Sequence, residues 1–340
     1  MEIFAPDMAI DLGSSNTLVY VRKRGIVINE PTVVVVSTGN RRLVRAVGDE
    51  ALHLMGRTTD TLTAIRPIKE GVIEDFDSAE VLVRYFMRKA IGVSHLVGPK
   101  VLVSVPVGLP PVQRKAMIEA VTVAGARRKN VFLVEKPLAA AIGTGLPVYE
   151  PTGTMVVDVG GGTTDTAVVS LGGIVVAQSV PVGGARMDEA IVNYLRTTST
   201  MLIGARTAEE IKVDLASAIP TQDSRRVRIR GRDVLSAHAM DVDFTAAQAY
   251  EALKEPCAAI LSSVKWVLER TPPELAADIM RTGIHLTGSG ARLFGLDQYM
   301  ATQLELPVLL AKEPADCTIN GLSYLIEHDE LFEAITRREV

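Results

Sequence analysis

The chain is poor in cysteine, in aromatic residues and in charge of one sign. Its 340 residues include two cysteines, 4% aromatic residues and a formal net charge of −4. The two cysteines, Cys257 and Cys317, have neither the number for a disulfide framework nor metal-ligand spacing, so we expect buried thiols. Few aromatic side chains argue against base stacking, and mixed charge argues against a basic surface. We therefore expect no nucleic-acid partner.

Long apolar runs are also missing. No run approaches the ~18 residues that a membrane-spanning helix needs. The first seven residues lead almost at once into an apolar run, and they are too short and too weakly basic for a secretory signal. We therefore expect a cytoplasmic location.

What the chain does contain is a glycine-rich acidic turn that occurs twice. The first copy covers residues 11–17 (DLGSSNT) and the second covers residues 158–165 (DVGGGTTD). An apolar run precedes each copy and another follows it, which predicts a strand, a tight turn and a second strand. The duplication predicts two similar halves that face each other across a cleft.

The residue types in these turns suit a bound nucleotide. Glycine lets the backbone come close to a ligand, and exposed N–H and hydroxyl groups suit phosphate oxygens. The leading residues, Asp11 and Asp158, suit a hydrated Mg²⁺, which prefers one or two carboxylates plus substrate phosphates. A third glycine turn follows a short apolar run at residues 287–291 (TGSGA).

Strands and helices alternate along the rest of the chain, which predicts an α/β protein with a parallel or mixed sheet. Apolar periodicity predicts helices at 78–92, 112–125, 187–197 and 246–269. A further helix is predicted to start after Thr207, whose hydroxyl would cap it together with Glu210. Residues 221–233 alternate basic and other residues, as an exposed strand does; a surface for an anionic partner is the alternative.

Three glycine turns in this order resemble the actin, heat-shock chaperone and sugar kinase superfamily. Within it, the chain is most similar to the MreB family of bacterial actins, notably at 10–20, 134–151, 155–190 and 252–297. The resemblance implies an α/β, actin-like bilobed fold: two duplicated ribonuclease H-like domains around a nucleotide cleft. It implies lobe I at 1–146, with a smaller subdomain at about 30–67 and the C-terminal 315–340 returning to it. Lobe II is expected at 147–314, with a smaller subdomain at about 183–245.

The resemblance also implies roles for individual residues around ATP or ADP with Mg²⁺. Asp11 and Asp158 would hold the metal ion through water. Thr163 would help to place the attacking water, and Glu209 and Lys212 would contact the ribose and base. The phosphates and the adenosine would lie against glycine-turn residues, namely Gly13, Ser14, Ser15, Asn16, Gly160, Gly161, Gly162, Thr163, Gly288, Ser289 and Gly290.

One departure from the family pattern concerns hydrolysis. Similar proteins carry an acid immediately before Pro137, where it orients the attacking water. Here Lys136 occupies that position, and a charged lysine cannot accept a proton. Glu135, one residue earlier, is the alternative catalytic carboxylate, although neighbours on a strand point to opposite faces. The sequence leaves open whether Lys136 is simply an exposed lysine. Asp165 likewise replaces a glutamate that is usual in its turn.

The function implied is that of an ATPase that forms head-to-tail filaments with paired protofilaments. Its ATP hydrolysis would be slow if Lys136 impairs it. These filaments would lie on the inner face of the cell membrane and act with cell-wall elongation proteins to set cell shape. Membrane contact would need an apolar segment, and the candidates are Ile3-Phe4 and Leu96-Val97.

The alternative functions are another bacterial actin-like filament for plasmid or organelle positioning, a chaperone-type ATPase, or a sugar or acetate kinase. The sequence shows no substrate-binding region after the lobes for a chaperone and no sugar-pocket motif. It also leaves open whether the chain is a main shape-determining protein or a divergent paralogue.

Overall fold

The computed structural model describes residues 5–37, 43–55, 61–92, 98–221 and 224–336. Two five-stranded mixed sheets form its framework. The strands of the first sheet are Met8–Leu12 (β1), Asn16–Val21 (β2), Gly25–Pro31 (β3), Val101–Val105 (β9) and Val131–Glu135 (β10). Those of the second sheet are Thr154–Val159 (β11), Thr164–Ser170 (β12), Gly173–Val180 (β13), Ile284–Thr287 (β17) and Val308–Leu310 (β18).

The two sheets have the same topology. The first runs β10-β9-β1-β2-β3, and the second, read from its other edge, runs β18-β17-β11-β12-β13. In each sheet two antiparallel hairpins are followed by two parallel strands. The predicted duplication and the actin-like α/β fold are confirmed.

Three smaller sheets accompany the large ones. Their strands are Val34–Ser37 (β4), Val44–Val47 (β5), Leu62–Ile65 (β6), Ile68–Lys69 (β7), Val72–Ile73 (β8), Met201–Leu202 (β14), Arg226–Asp233 (β15) and Ala239–Thr245 (β16). They are ordered β5-β4-β6, β7-β8 and β14-β15-β16. On β15 the alternate arginines are exposed, and Asp241 of β16 pairs with Arg228 and Arg230, as a solvated strand face does. Gln222 and Asp223 lie outside the described residues.

The helices cover the faces of the sheets. They are Asp49–Leu54 (α1), Phe76–Ile91 (α2), Pro111–Val123 (α3), Lys136–Gly143 (α4), Gly184–Ser199 (α5), Ala205–Leu215 (α6), Ala246–Arg270 (α7), Pro273–Thr282 (α8), Leu296–Leu304 (α9), Cys317–Glu327 (α10) and Asp329–Thr336 (α11). Short 3₁₀ turns occupy Arg128–Asn130, Ser289–Arg292 and Pro314–Asp316. Thr245 begins α7 with a capping box, since its side chain accepts from the Gln248 N–H while the Gln248 side chain accepts from the Thr245 N–H.

A central layer of two helices lies between the two large sheets. Helices α4 and α10 pack against each other, and one apolar cluster joins them to both sheets. It includes Ala9 and Leu102 from the first sheet and Val156 and Ala167 from the second. The carboxyl ends of the central strands therefore converge near the N-terminus of α4. The exact domain boundaries stay a prediction.

The helices predicted from periodicity are present, but the start of α6 was predicted wrongly. It begins at Ala205 after Gly204, with no side-chain cap, so Thr207 lies inside the first turn. The Glu210 carboxylate accepts a hydrogen bond from Arg206, so the expected capping box is not formed. Among the described residues, no helix has both the length and the apolarity to cross a membrane. The membrane-contact candidates, Ile3-Phe4 and Leu96-Val97, lie outside the described residues.

Candidate functional site in the cleft between the two sheets

Both glycine turns close in the same way. The Gly13 N–H donates to the carbonyl oxygen of Asn16 at 3.1 Å, and the Gly160 N–H donates to that of Thr163 at 2.8 Å. Each turn joins the first two strands of its sheet. The other amides and hydroxyls of the two turns therefore lie at the carboxyl ends of β1 and β11.

The tips of the two turns touch each other. A Cβ atom at Gly161 would overlap the side chain of Ser15, and one at Gly162 would overlap that of Ser14. Glycine is therefore required for this approach. The side chain of Arg66 fixes the first turn by donating to the carbonyl oxygens of Ser14 at 3.3 Å and of Ser15 at 3.2 Å.

The third glycine turn packs against the second. Gly288 has a φ of +84°, and a Cβ atom there would overlap the carbonyl of Val159. Its N–H donates to the carbonyl oxygen of Pro314 at 2.7 Å. Ser289 and Gly290 begin the short 3₁₀ turn, and Gly290 also lies close to Val159. The structure therefore brings together all three turns predicted to contact the nucleotide.

Two buried aspartates lie at the base of these turns. The carboxylate of Asp11 accepts a hydrogen bond from Ser104 at 2.5 Å, and that of Asp158 accepts one from Thr287 at 3.0 Å. Burial raises the pKa of Asp158 to about 7; the positive charge of Lys136 opposes this rise, while Asp165 and Asp11 add to it. An incoming cation would relieve that penalty.

Asp165 orients Thr163 within the second turn. The Thr163 hydroxyl donates to one carboxylate oxygen of Asp165 at 2.8 Å, and the Val107 N–H donates to the other at 3.1 Å. Because the Thr163 hydroxyl donates its proton to Asp165, the oxygen of this hydroxyl can accept a hydrogen bond from water.

Lys136 is buried and points into the group of carboxylates. Its Nζ lies 3.4 Å from Oδ1 of Asp11, and only 10% of its side chain is exposed. Reading Lys136 as an exposed lysine is wrong. Glu135 is turned elsewhere, since its carboxylate pairs with Arg114 of α3 at 3.4 Å. The structure does not bring Glu135 together with the carboxylates of the cleft, and its catalytic role stays a prediction.

Glu209 and Lys212 lie on α6 at the other end of the site. Glu209 lines a cleft of about 810 Å³ together with Ser14, Ser15 and Gly162. Lys212 pairs with Asp188 at 2.8 Å and donates to the carbonyl oxygen of Gly184 at 3.1 Å. Because the next residue, Ala185, donates its N–H to Gly161, Lys212 is held beside the second turn.

The donor atoms fit a hydrated Mg²⁺. Among the described residues, no cluster of three or more His, Cys, Asp or Glu side chains could hold a metal ion alone. Asp11 and Asp158 offer hard oxygen donors, and Mg²⁺ keeps several waters and takes its remaining ligands from substrate phosphates. The residues are thus suited to hold the ion through water rather than in a protein cage.

Several supporting residues were missed by sequence reasoning. Ser104 and Thr287 hold the two aspartates, Arg66 holds the first turn and Asp188 holds Lys212. They come from four different elements or loops. No local motif marks such residues, although Thr287 directly precedes a glycine that the sequence singled out.

Comparisons with known proteins agree with this geometry. The family model described as MreB/Mbl protein matches residues 5–334. The chain is 46% identical over 323 residues to the cell shape-determining protein MreB of Escherichia coli K12, covering 94% of this chain and 92% of the relative. It is 42% identical over 326 residues to the cell shape-determining protein Mbl of Bacillus subtilis 168, covering 96% and 97%.

Solved structures show the same fold. MreB 5 of Spiroplasma citri bound to AMPPNP superposes with a TM-score of 0.90 at 30% identity, covering 99% of both chains. The MamK double helical filament has a TM-score of 0.76 at 21% identity, a likeness of fold alone, over 96% of this chain and 98% of that one. With the sheet duplication and the three glycine turns, these matches establish that the chain belongs to the MreB/Mbl family.

Proposed function

We propose that this chain binds ATP and ADP with Mg²⁺ in the cleft and assembles head to tail into filaments that help to set cell shape. The observation that carries the proposal is the contact between two identically closed glycine turns, one from each sheet. A phosphate chain between them would be bound by amides and hydroxyls of both halves. Nucleotide binding would therefore fix the angle between the halves.

We propose the following contacts between the chain and the nucleotide, because the three glycine turns lie together. The phosphates are contacted from one side by the first glycine turn, through Gly13, Ser14, Ser15 and Asn16. They are contacted from the other side by the second turn, through Gly160, Gly161, Gly162 and Thr163. Gly288, Ser289 and Gly290 lie against the adenosine, while Glu209 and Lys212 contact the ribose and base. Asp11 and Asp158 would hold Mg²⁺ through water, and the bound ion would supply charge that neutralises the phosphates.

Hydrolysis is proposed to be slow. In-line attack needs an oriented water and an acceptor for its proton. The Thr163 oxygen can position the water, but the residue before Pro137 is a lysine. Glu135 would have to leave Arg114 to act as the base. Slow turnover would leave filaments in the ATP state for longer.

The self-association proposal draws on the family and on the relatives. A head-to-tail contact is heterologous and need not close on itself, so it generates open filaments. The MamK structure is described as a double helical filament, and two relatives are named for cell shape. We also propose a location at the inner membrane face, with paired protofilaments and with cell-wall elongation proteins as partners. Many weak contacts along a polymer add up to stable membrane binding.

The test is sedimentation of the purified chain with Mg-ATP, with Mg-ADP and without nucleotide, with phosphate release followed in parallel. We expect nucleotide-dependent pelleting that is lost in Asp158→Ala. Asp77→Ala, at an exposed position in the first turn of α2, is the matched control and should bind nucleotide normally. Equal pelleting under all three conditions would contradict nucleotide-dependent assembly. Absence of any bound nucleotide would contradict the whole proposal.

A further inference from the structure

The half of the molecule that contains the second sheet has two ends that lie far apart. Helix α7 runs between them. Its first residue, Ala246, donates its N–H to the carbonyl oxygen of Arg225, just before β15, and its last residue, Arg270, is followed closely by α8. The 25 residues of α7 correspond to a length of about 37 Å. The β14-β15-β16 sheet and α8 therefore lie at opposite ends of this half.

The loop between β15 and β16, residues 233–238, forms an apolar tip (the hairpin tip). Leu235 is 83% exposed and Val234 is 50% exposed. The backbone that carries them is fixed, because the Val234 N–H donates to the carbonyl oxygen of Thr200 and the Leu235 N–H donates to the Asp233 carboxylate at 2.8 Å. Two neighbouring apolar residues are thus held in water on an ordered loop, which lowers the entropy cost of docking.

The outer face of the hairpin that carries this tip is basic. Alternate residues of a strand share a face with their cross-strand partners, and this face carries four arginines and two aspartates: Arg226, Arg228, Arg230, Arg232, Asp241 and Asp243. Asp241 pairs with Arg228 and Arg230. Arg232, which is exposed and directly precedes the tip, has no ion pair within the described part of the chain. The face therefore attracts an acidic surface.

The opposite end of this half, formed by α8 and the end of α9 (the α8 end), has the complementary character. Asp278 of α8 accepts from the Gly153 N–H at 2.9 Å, which ties α8 to the amino end of β11. Met280, in the last turn of α8, is 66% exposed. Glu274 on α8 and Glu305, just before β18, are also exposed, and neither has an ion pair with any described residue. An apolar side chain and two unpaired acids thus share this end.

We propose that the hairpin tip and the α8 end form the head-to-tail contact between copies of this chain. Leu235 of one copy packs on Met280 of the next, and Arg232 faces Glu274 and Glu305. A second copy is the occupant because one chain carries both members of the match, apolar with apolar and basic with acidic, at opposite ends. Two different surfaces make a heterologous contact, so each added copy leaves a free tip and assembly stays open. The inference rests on the proposed filament assembly, to which it assigns residues.

The first test is sedimentation of the full chain with Mg-ATP as Leu235→Glu and as Met280→Glu. Each change places a carboxylate in the apolar contact, so we expect the protein concentration needed for pelleting to rise by about tenfold or more. Val213→Glu is the matched control, because Val213 is an apolar residue on α6 that is 75% exposed, and it should pellet as the wild type does. All three variants should bind Mg-ADP with the wild-type dissociation constant in calorimetric titration.

Charge reversal tests the polar part of the contact. Arg232→Glu should also raise the concentration needed for pelleting, because it places a carboxylate opposite Glu274 and Glu305. Adding Glu274→Arg and Glu305→Arg to the same chain should lower that concentration again, since opposite charges then face each other in the reverse sense. A rescue of this kind requires that the two ends meet.

Cross-linking tests directly whether the two ends meet. A polymer of the chain with Leu235→Cys and Met280→Cys should give a ladder of multimers with a short bismaleimide, because each copy then reacts with the next. The native thiols of Cys257 and Cys317 are buried. Leu235→Cys combined with Val213→Cys should give no ladder.

Pelleting of both glutamate variants at the wild-type concentration would overturn the inference and leave the proposed nucleotide binding and assembly standing. A polymer of the double-cysteine variant that gives no ladder would overturn it as well. If Leu235→Glu pelleted normally but no longer bound anionic liposomes, the tip would contact a membrane and not a second copy. Absence of any wild-type polymer would contradict the proposed assembly and this contact together.

Discussion

Ser15 and Gly161 touch across the cleft, although one belongs to the first glycine turn and the other to the second. A methyl group at Gly161 would overlap the Ser15 side chain and force the turns apart. We therefore expect Gly161→Ala to weaken nucleotide binding by about tenfold or more and to cost about 1–3 kcal/mol of unfolding free energy. Calorimetric titration and denaturant unfolding measure the two effects.

Gly204→Ala is the control for this prediction. No heavy atom lies within 4 Å of a Cβ built at Gly204, and its φ of −79° suits alanine. If Gly161→Ala binds nucleotide as tightly as Gly204→Ala, the contact between the turns has no role in binding.

Lys136→Glu should speed up hydrolysis. A carboxylate beside Asp11 could accept the proton of the attacking water, and general-base catalysis contributes about 10²–10⁴-fold. We expect phosphate release from saturating Mg-ATP to rise by at least about tenfold. Adding a fourth carboxylate should also make binding strictly dependent on Mg²⁺. An unchanged rate in a variant that binds Mg-ATP would show that the base lies elsewhere, and Glu135→Gln then becomes the variant to measure.

Asp188 should make stability depend on pH. Burial raises its pKa to about 6, although Lys212 opposes this rise. The folded chain thus holds a proton that the unfolded chain releases near pH 4, so the unfolding free energy falls as pH rises through this window. The loss is up to about 3 kcal/mol between pH 4 and 6. Denaturant unfolding of Asp188→Asn across this range should show a flatter profile than the wild type; parallel profiles would contradict the assignment.

Both cysteines should be unreactive in the folded chain. Cys257 and Cys317 are buried, and burial raises the pKa of each thiol to about 12. Thiolate, the reactive form, is then scarce at neutral pH. Titration with a thiol reagent should detect no fast-reacting thiol until denaturant is added. Rapid reaction of one equivalent in native buffer would mean that a cysteine is accessible.

Membrane binding can be tested at the two apolar candidates in the sequence. Phe4→Glu combined with Leu96→Glu should reduce co-sedimentation with anionic liposomes, because charged side chains do not insert into the acyl region. Pelleting of the variant with Mg-ATP alone should persist, which separates membrane contact from assembly. Liposome binding equal to that of the wild type would exclude both candidates.

The architecture was predictable because its signals are local. Glycine and hydroxyl residues between apolar runs identify the hairpins at 11–17 and 158–165, and their duplication implies two equivalent sheets. The start of α6 was not predictable in this way: Gly204 begins the helix without a side-chain cap, so the residues near Thr207 resembled a capping box without forming one.

The direction in which the Lys136 side chain points could not be predicted from the sequence, for another reason. The chain changes from strand to helix between Glu135 and Lys136. Strand alternation therefore applies to Glu135 but not to the residue after it, and only the position of Asp11 on a distant strand shows which of the two enters the cleft. Long-range pairs such as Arg114 with Glu135 leave no trace in sequence spacing.

The crossing of α4 and α10 bears on how the two halves could move. At Gly143 and Gly321 the helix backbones touch directly, because a Cβ at either position would overlap the other helix. Any movement of one sheet against the other must therefore pass through this backbone contact and the apolar cluster around it. Gly143 and Gly321 thus bear on the angle between the halves, although neither belongs to the turns proposed to bind phosphate.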